Sequence, residues 1–249
     1  MIRIADLEAR RKNILGAIIE SFIANSFPIS SEFIAKEFNF GLSSATIRNA
    51  MADLEEMEFI THPHTSAGRI PTDKGYRFYV DNILGHNEIQ GCQKEMISKE
   101  LDFDNLDISE FLEKASDMLA RLSHYPSLVS FTDWEHKIYF NGTSFIFEHP
   151  EFNDIKKLRA LFGALEEKEN LLKTINQNIE EPLKIYIGQE NIIDEMKDCT
   201  MIISTYKRKA RPAGRIAVLG PTRLRYSQVI PLIEYTSCLL SDFFGEIDE

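Results

Sequence analysis

Apolar residues recur at helical spacing along the first 84 residues, in four blocks separated by short polar breaks. In residues 5–24, Leu7, Ile14, Leu15, Ile18, Ile19, Phe22 and Ile23 form one broad stripe, which predicts a long helix with Arg10, Arg11 and Lys12 on its polar side. Residues 25–29, with Pro28, break that helix. Ser30 or Ser31 caps a short second helix through Phe38, and Asn39-Phe40-Gly41 makes a tight turn. Ser43 is an N-cap for a third helix reaching about Met57, with Ile47, Ala50, Met51 and Leu54 on its inner face. Residues 58–61 and 68–71 read as two short strands around a polar turn, and Thr72 caps a fourth helix through about Leu84.

Beyond a polar, acidic stretch at 85–108, which reads as a linker with some helix, the pattern turns mixed. Residues 109–124 are helical by spacing. Residues 127–131, 137–140 and 144–147 read as strands, 154–176 as one long helix, 184–188, 201–207 and 215–219 as strands, and 226–244 as a closing helix. Helix-turn-helix plus hairpin, then a separate mixed region, is an α+β protein with a domain at 1–84, a linker at 85–108 and a second domain at 109–249.

Composition adds limits. A hydrophobic content of 43% and a charged content of 27% are those of an ordinary globular chain. No apolar run reaches membrane-spanning length, and the first residues do not read as a signal peptide, so a cytoplasmic protein is expected. Cys92, Cys199 and Cys238 are too far apart for metal-ligand spacing and read as three buried thiols. The net charge is −11, and residues 1–82 hold 9 Lys and Arg against 11 Asp and Glu. Nucleic-acid binding by an acidic domain requires local placement of cations.

The third helix offers that placement. Opposite its apolar face stand Ala45, Asn49 and Ala52, flanked by Ser44 and Arg48. Small residues let a helix enter a major groove, where Asn pairs with adenine and Arg with guanine in bidentate fashion. Ser43, Ser44 and Thr46 bring hydroxyls to a helix N-terminus, where phosphate binds. The turn from His62 to Arg69, with His64, Thr65 and Ser66, places one arginine at a wing tip suited to the minor groove. His62 and His64 lack a third ligand and read as hydrogen-bond donors to phosphate or to the turn, so no metal and no cofactor is expected. On the fourth helix Lys74 and Arg77 are further phosphate contacts, and Phe78 on the same outer side reads either as an incidental exposed ring or as a docking contact.

The segment SSATIRNAMADLEE followed by PHTSAGRIPTDKGYRFYVD closely resembles the signature of the HrcA family of bacterial heat-inducible transcription repressors. The resemblance resumes in IYFNGTSFIFEHPEF, IGQEN, the Asp198–Thr200 region and GRIAVLGPTRLRYSQVI. It implies a winged helix followed by a GAF-like α+β domain, a homodimer on an inverted-repeat operator (the CIRCE element) before chaperone operons, relief of repression by heat, and a GroE-type chaperonin as partner. It also implies a recognition helix at 43–57, a wing at 61–70, and Arg48, Asn49, His64 and Arg69 as DNA contacts. Members run some 90 residues longer, so the second domain is expected in reduced form, the shortening falling near 130–137. Glu58 stands where members commonly carry Gly, and Arg223-Leu224-Arg225 where an acidic residue is more usual.

Enzyme chemistry finds no support in this chain. Gly220-Pro221-Thr222-Arg223 lacks the glycines of a phosphate loop, and Glu190 has no acid or base partner in the pattern. The competing reading is a winged-helix interaction protein that has lost repressor activity.

Overall fold

In the computed structural model the chain is described over residues 9–64, 67–85, 88–101, 107–132 and 137–247. Leu7, Thr65, Ser66, residues 133–136 within the expected shortening, and the side chain of Cys92 lie outside the described residues. The protein is α+β and divides into two compact units, Met1–Gly85 and His86–Glu249.

The first unit is a winged helix. Helix α1 (Ala9–Asn25) buries Ile14, Leu15, Ile18 and Ile19, and α2 (Ser31–Glu37) starts at Ser30, whose hydroxyl accepts from the Phe33 N–H. Helix α3 (Ser44–Glu56) starts at Ser43 and buries Ile47, Ala50, Met51 and Leu54, the stripe its periodicity predicts. Strands β1 (Ile60–Thr61) and β2 (Ile70–Pro71) pair antiparallel, and α4 (Asp73–Asn82) begins at Thr72, which accepts from the Gly75 N–H. One strand-like pairing was not legible: Ile29 bridges Arg69 through two backbone hydrogen bonds of 2.8 Å, so the α1–α2 connection joins the base of the two-stranded wing at a single bridge.

Two glycines mark where backbones touch. A Cβ on Gly68 would lie 2.6 Å from the Ile29 carbonyl oxygen, and one on Gly75 would lie 2.1 Å from that of Phe59. Any larger residue would push the wing or α4 away from its neighbour. Phe78 is 3% exposed, its ring 4.9 Å from that of Phe59 and under the Lys12 ammonium. The exposed-ring readings are thus corrected: α4 packs on two sides, which a single-face wheel does not anticipate.

The end of α3 explains Glu58. Phe59 N–H bonds to the Leu54 carbonyl and Glu58 N–H to that of Glu55, both at 2.9 Å, with Glu58 at φ 63°. This is a Schellman ending, whose left-handed position favours Gly.

The second unit holds a five-stranded antiparallel sheet in the order β4-β3-β7-β6-β5: β3 (Ser127–Phe131), β4 (Ile138–Asn141), β5 (Leu183–Ile187), β6 (Cys199–Arg208) and β7 (Arg211–Pro221). It follows α5 (Gly91–Glu100) and α6 (Ile108–Ser123), the latter opened by an Asp107–Glu110 capping box. One face packs against α6 and the closing helix α9 (Tyr226–Ile247). The other carries Leu128, Met201, Ile203, Ala217 and Leu219 against α7 (Ile155–Glu166) and α8 (Lys168–Ile175). This is the GAF-like layer arrangement expected of the second domain.

Several expectations are corrected here. Residues 144–147 form no strand: Gly142 at φ 76° turns the chain out of the sheet into a 3-10 helix, Thr143–Glu148. The single helix at 154–176 is two, broken at Glu167. A straight helix would separate Leu165 from Leu171 by roughly 120° around its axis, and the break returns both to the sheet. Cys238 is exposed, whereas Cys199 is buried, which pushes its thiol up to about 12. Arg223, unexplained by sequence, forms an ion pair with Glu151 on the segment after that 3-10 turn.

Replacing Glu58 by Gly removes a side chain from a left-handed position and is expected to stabilise the protein by about 1 kcal/mol. The exposed Glu58–Lys74 pair that is lost offsets little of this. Urea unfolding of the two forms measures the difference, and equal midpoints would refute it.

Candidate nucleic-acid interface

The outer face of α3 follows from its inner one. With Ile47, Ala50, Met51 and Leu54 turned into the core, Ala45, Arg48, Asn49 and Ala52 are exposed. Ser43 accepts from the Thr46 N–H at 3.2 Å and its hydroxyl lies 2.9 Å from that of Thr46, so the cap uses one hydroxyl pair and one amide that the sequence offered to a phosphate. Ser44 is half-buried on the first turn. Arg48 and Asn49 have no side-chain hydrogen bond or ion pair to other described residues, which leaves both heads available.

The wing is built differently from its sequence reading. Arg69 is at the root of the wing, where its backbone pairs with Ile29, and not at the tip. Its guanidinium reaches back to α3: Nε donates to Glu55 Oε2 at 2.9 Å and Nη2 lies 2.7 Å from the same oxygen. His62 Nδ1 bonds to the other oxygen, Oε1. His64 is exposed further out. The two histidines therefore do not converge, and among the described residues no group of three or more His, Cys, Asp or Glu is placed to hold a metal.

The remaining cations follow the same rule. Lys74 donates to Glu58 at 2.9 Å and Arg77 to Asp81 at 3.2 Å, while Arg11 on α1 bonds Asp53 on α3, Nε to Oδ2 at 3.0 Å. Of Arg48, Arg69, Lys74 and Arg77, only Arg48 lacks a carboxylate partner among the described residues. The structure thus brings Arg48, Asn49 and the root of the wing onto one helix, and sets Lys74 and Arg77 in local pairs on α4.

Glu55 is the residue that the sequence reading missed. The available signal was the acidic cluster Glu55, Glu56 and Glu58 at the C-terminal end of α3, where the helix dipole disfavours negative charge and each carboxylate calls for a cation. Burial alone would raise the Glu55 pKa, but the His62 hydrogen bond and the Arg69 charge outweigh it and hold the carboxyl below its ordinary value. A carboxyl lowered in the folded state contributes stability that is present above the ordinary value of 4.5 and lost as pH falls through the lowered one. The stability difference between the parent and Glu55→Gln is therefore expected at neutral pH and to shrink below pH 4.5. Denaturation midpoints across that range measure it, and a difference independent of pH would contradict the assignment.

Comparisons with known proteins agree with this architecture. Residues 130–230 match the family model described as "HrcA protein C terminal domain". The "Heat-inducible transcription repressor HrcA" of Thermoanaerobacter pseudethanolicus is 32% identical over 344 residues, covering 97% of this chain and 98% of that protein. Its counterpart from another Thermoanaerobacter species is 31% identical with the same coverage. An alignment longer than the 249 residues here carries gaps inside this chain, as its reduced length predicts. A crystal structure described as "a hypothetical protein at 2.2 A resolution" shares the fold with a TM-score of 0.77 at 20% identity, covering 97% of this chain and 99% of that one. With sequence similarity running through the winged unit and the sheet unit alike, the chain belongs to the HrcA family of heat-inducible transcription repressors.

Proposed function

We propose that this chain is a sequence-specific DNA-binding repressor of heat-shock chaperone operons. In this reading it acts in the cytoplasm, as a homodimer on an inverted-repeat operator of the CIRCE type, and a GroE-type chaperonin keeps it active. The observation that carries the reading is the exposed pair Arg48 and Asn49, without a side-chain partner among the described residues, on a helix whose C-terminal turn is tied to a wing. Arg48 and Asn49 read base edges, Ala45 and Ala52 allow close approach, and the N-terminal residues Ser43, Ser44 and Thr46 face the backbone. His62, His64, Thr65, Ser66 and Arg69 form the wing contact, and Lys74 and Arg77 exchange carboxylates for phosphates at the margin. Two-fold symmetry of the dimer matches the two half-sites, and occlusion of the promoter is the mode of repression. Repression by occlusion calls for no cofactor and no catalytic residue.

Heat relieves repression in this reading because the second unit is the weak one. Arg215 on β7 is fully buried; among the described residues its Nε and Nη1 have no hydrogen-bond partner, and only Nη2 is satisfied, by the carbonyls of Gln177 and Asn178. Burial lowers its pKa, the mark of a cation held at a cost. Lys209 and Ala210 turn the β6–β7 hairpin with positive φ, without a glycine.

A second reading, a winged-helix interaction protein without repressor activity, is favoured by the net charge of −11 and by the pre-paired cations.

Mobility shift separates the two. Arg48→Ala is expected to weaken binding to an inverted-repeat duplex by about 1–3 kcal/mol while changing binding to a scrambled duplex far less. Light scattering on the same sample is expected to give a dimer. A parent chain that binds neither duplex at low salt supports the second reading. For the heat response, Arg215→Met is expected to raise the melting temperature by several degrees, since removing a buried, poorly compensated charge gains about 1–4 kcal/mol. An unchanged or lowered melting temperature would remove Arg215 from the account.

A further inference from the structure

We infer that Glu55 is the positioning residue of the interface: its carboxylate fixes where the wing stands relative to the recognition helix, and through that spacing sets the preference for one duplex sequence over another. The inference rests on the DNA-binding reading above and goes beyond it, because Glu55 itself touches no nucleic acid in this scheme.

The wing does not hold itself in place. Its ladder consists of Ile60 opposite Pro71 and Thr61 opposite Ile70, extended by the single bridge from Arg69 to Ile29. A ladder this short is marginal without packing or side-chain support. Its base is packed through Ile60 and Gly68, and the side-chain support that spans both legs comes from one carboxylate. His62 leaves the hairpin just after β1 and Arg69 just before β2, and both reach Glu55, one on each oxygen. The two legs of the wing are thereby joined to each other and to α3 at a single point. Glu55 is only 25% exposed along its side chain and Arg69 26%, so the pair is partly shielded from solvent.

The position of that point along α3 matters. Glu55 follows Arg48 by seven residues, two helical turns, which places both on the same stripe of α3 roughly 10 Å apart along its axis. The wing is therefore anchored on the stripe that carries the exposed arginine, and a base-edge contact at Arg48 and a backbone contact from the wing address one duplex in fixed register. Losing the anchor leaves the charges in place and releases their spacing.

The opposing possibility is that Glu55 only masks Arg69 and His62 from phosphates. The two make opposite predictions. The full chain is assayed as parent, Glu55→Ala and Glu55→Gln against an inverted-repeat duplex and a scrambled duplex of the same length and composition. If Glu55 positions the wing, Glu55→Ala loses about tenfold on the inverted repeat and stays within about twofold on the scrambled duplex, and Glu55→Gln, which keeps an acceptor for Arg69, loses less. Hydrogen exchange at the Ile29 and Arg69 amides, which bond across the wing base, speeds up in Glu55→Ala. Masking instead raises affinity for both duplexes and overturns the inference. Equal losses on both duplexes with unchanged amide exchange also overturn it. A parent that prefers the inverted repeat while Glu55→Ala and Glu55→Gln prefer it equally sinks this inference alone. A parent with no preference sinks the DNA-binding reading itself.

Discussion

The carbonyl of Phe59 lies where three elements of the first unit converge, and the contact of backbone with backbone there constrains all of them. It accepts from the Thr72 N–H at 3.1 Å, and the α carbon of Gly75 is so near that a Cβ would be 2.1 Å away. One residue earlier, the Glu58 carbonyl takes the Thr72 hydroxyl at 2.6 Å. The Phe59 N–H closes the end of α3 on Leu54, and its ring packs on Phe78 of α4. The ending of α3, the start of the wing and the cap of α4 are therefore one joint. The start of the wing therefore follows α3, and the Glu55 contacts carry that coupling outward to His62 and Arg69, which in the proposed reading is what a two-point grip on DNA demands.

The second unit is organised by its sheet, buried on both faces. Alternate residues of β7 serve opposite layers: Ala217 and Leu219 meet α7 and α8, whereas Ile216 and Val218 share the face of α6 and α9. Arg215 falls in the first register and so must sit inside the layer of α8, where the carbonyls of Gln177 and Asn178, just past the end of that helix, are the hydrogen-bond partners of its guanidinium among the described residues. A cation near a helix C-terminus is favoured by the dipole, yet the charge of Glu181 offsets only part of the desolvation of this one, which forms no ion pair among the described residues. The strand alternation that makes the core also forces the charge into it.

Local chemistry was legible in the sequence, and long-range chemistry was not. Ser30, Ser43 and Thr72 announce the helix starts because an N-cap hydroxyl acts within three residues. The inner stripe of α3 was likewise readable from its period, and the outward Arg48 and Asn49 followed from it. The Ile29–Arg69 bridge joins residues forty positions apart and leaves no periodic trace. Arg69 looked like a wing tip because the carboxylate that folds it back belongs to another element. Phe78 looked exposed because a helical wheel assumes one buried face, whereas α4 is covered on two. The break at Glu167 was hidden inside a continuous apolar pattern, although the phase jump between Leu165 and Leu171 encodes it.

Charge finally decides how such a unit can grip a polyanion. With nearly every contact cation already joined to an acid of the same unit, forming a phosphate contact exchanges one partner for another instead of adding a new one. Little non-specific affinity accrues from such exchanges, because the released carboxylates remain near the phosphates and repel them. What survives is the contribution of groups with no prior partner, and among the described residues on the outer face of α3 those are Arg48 and Asn49. In the proposed reading, an acidic winged helix thus trades general attraction to DNA for discrimination. In the proposed reading, binding then rests on base contacts made twice, at two half-sites, and the proposed dimer is the arrangement in which so sparse an interface would reach useful affinity.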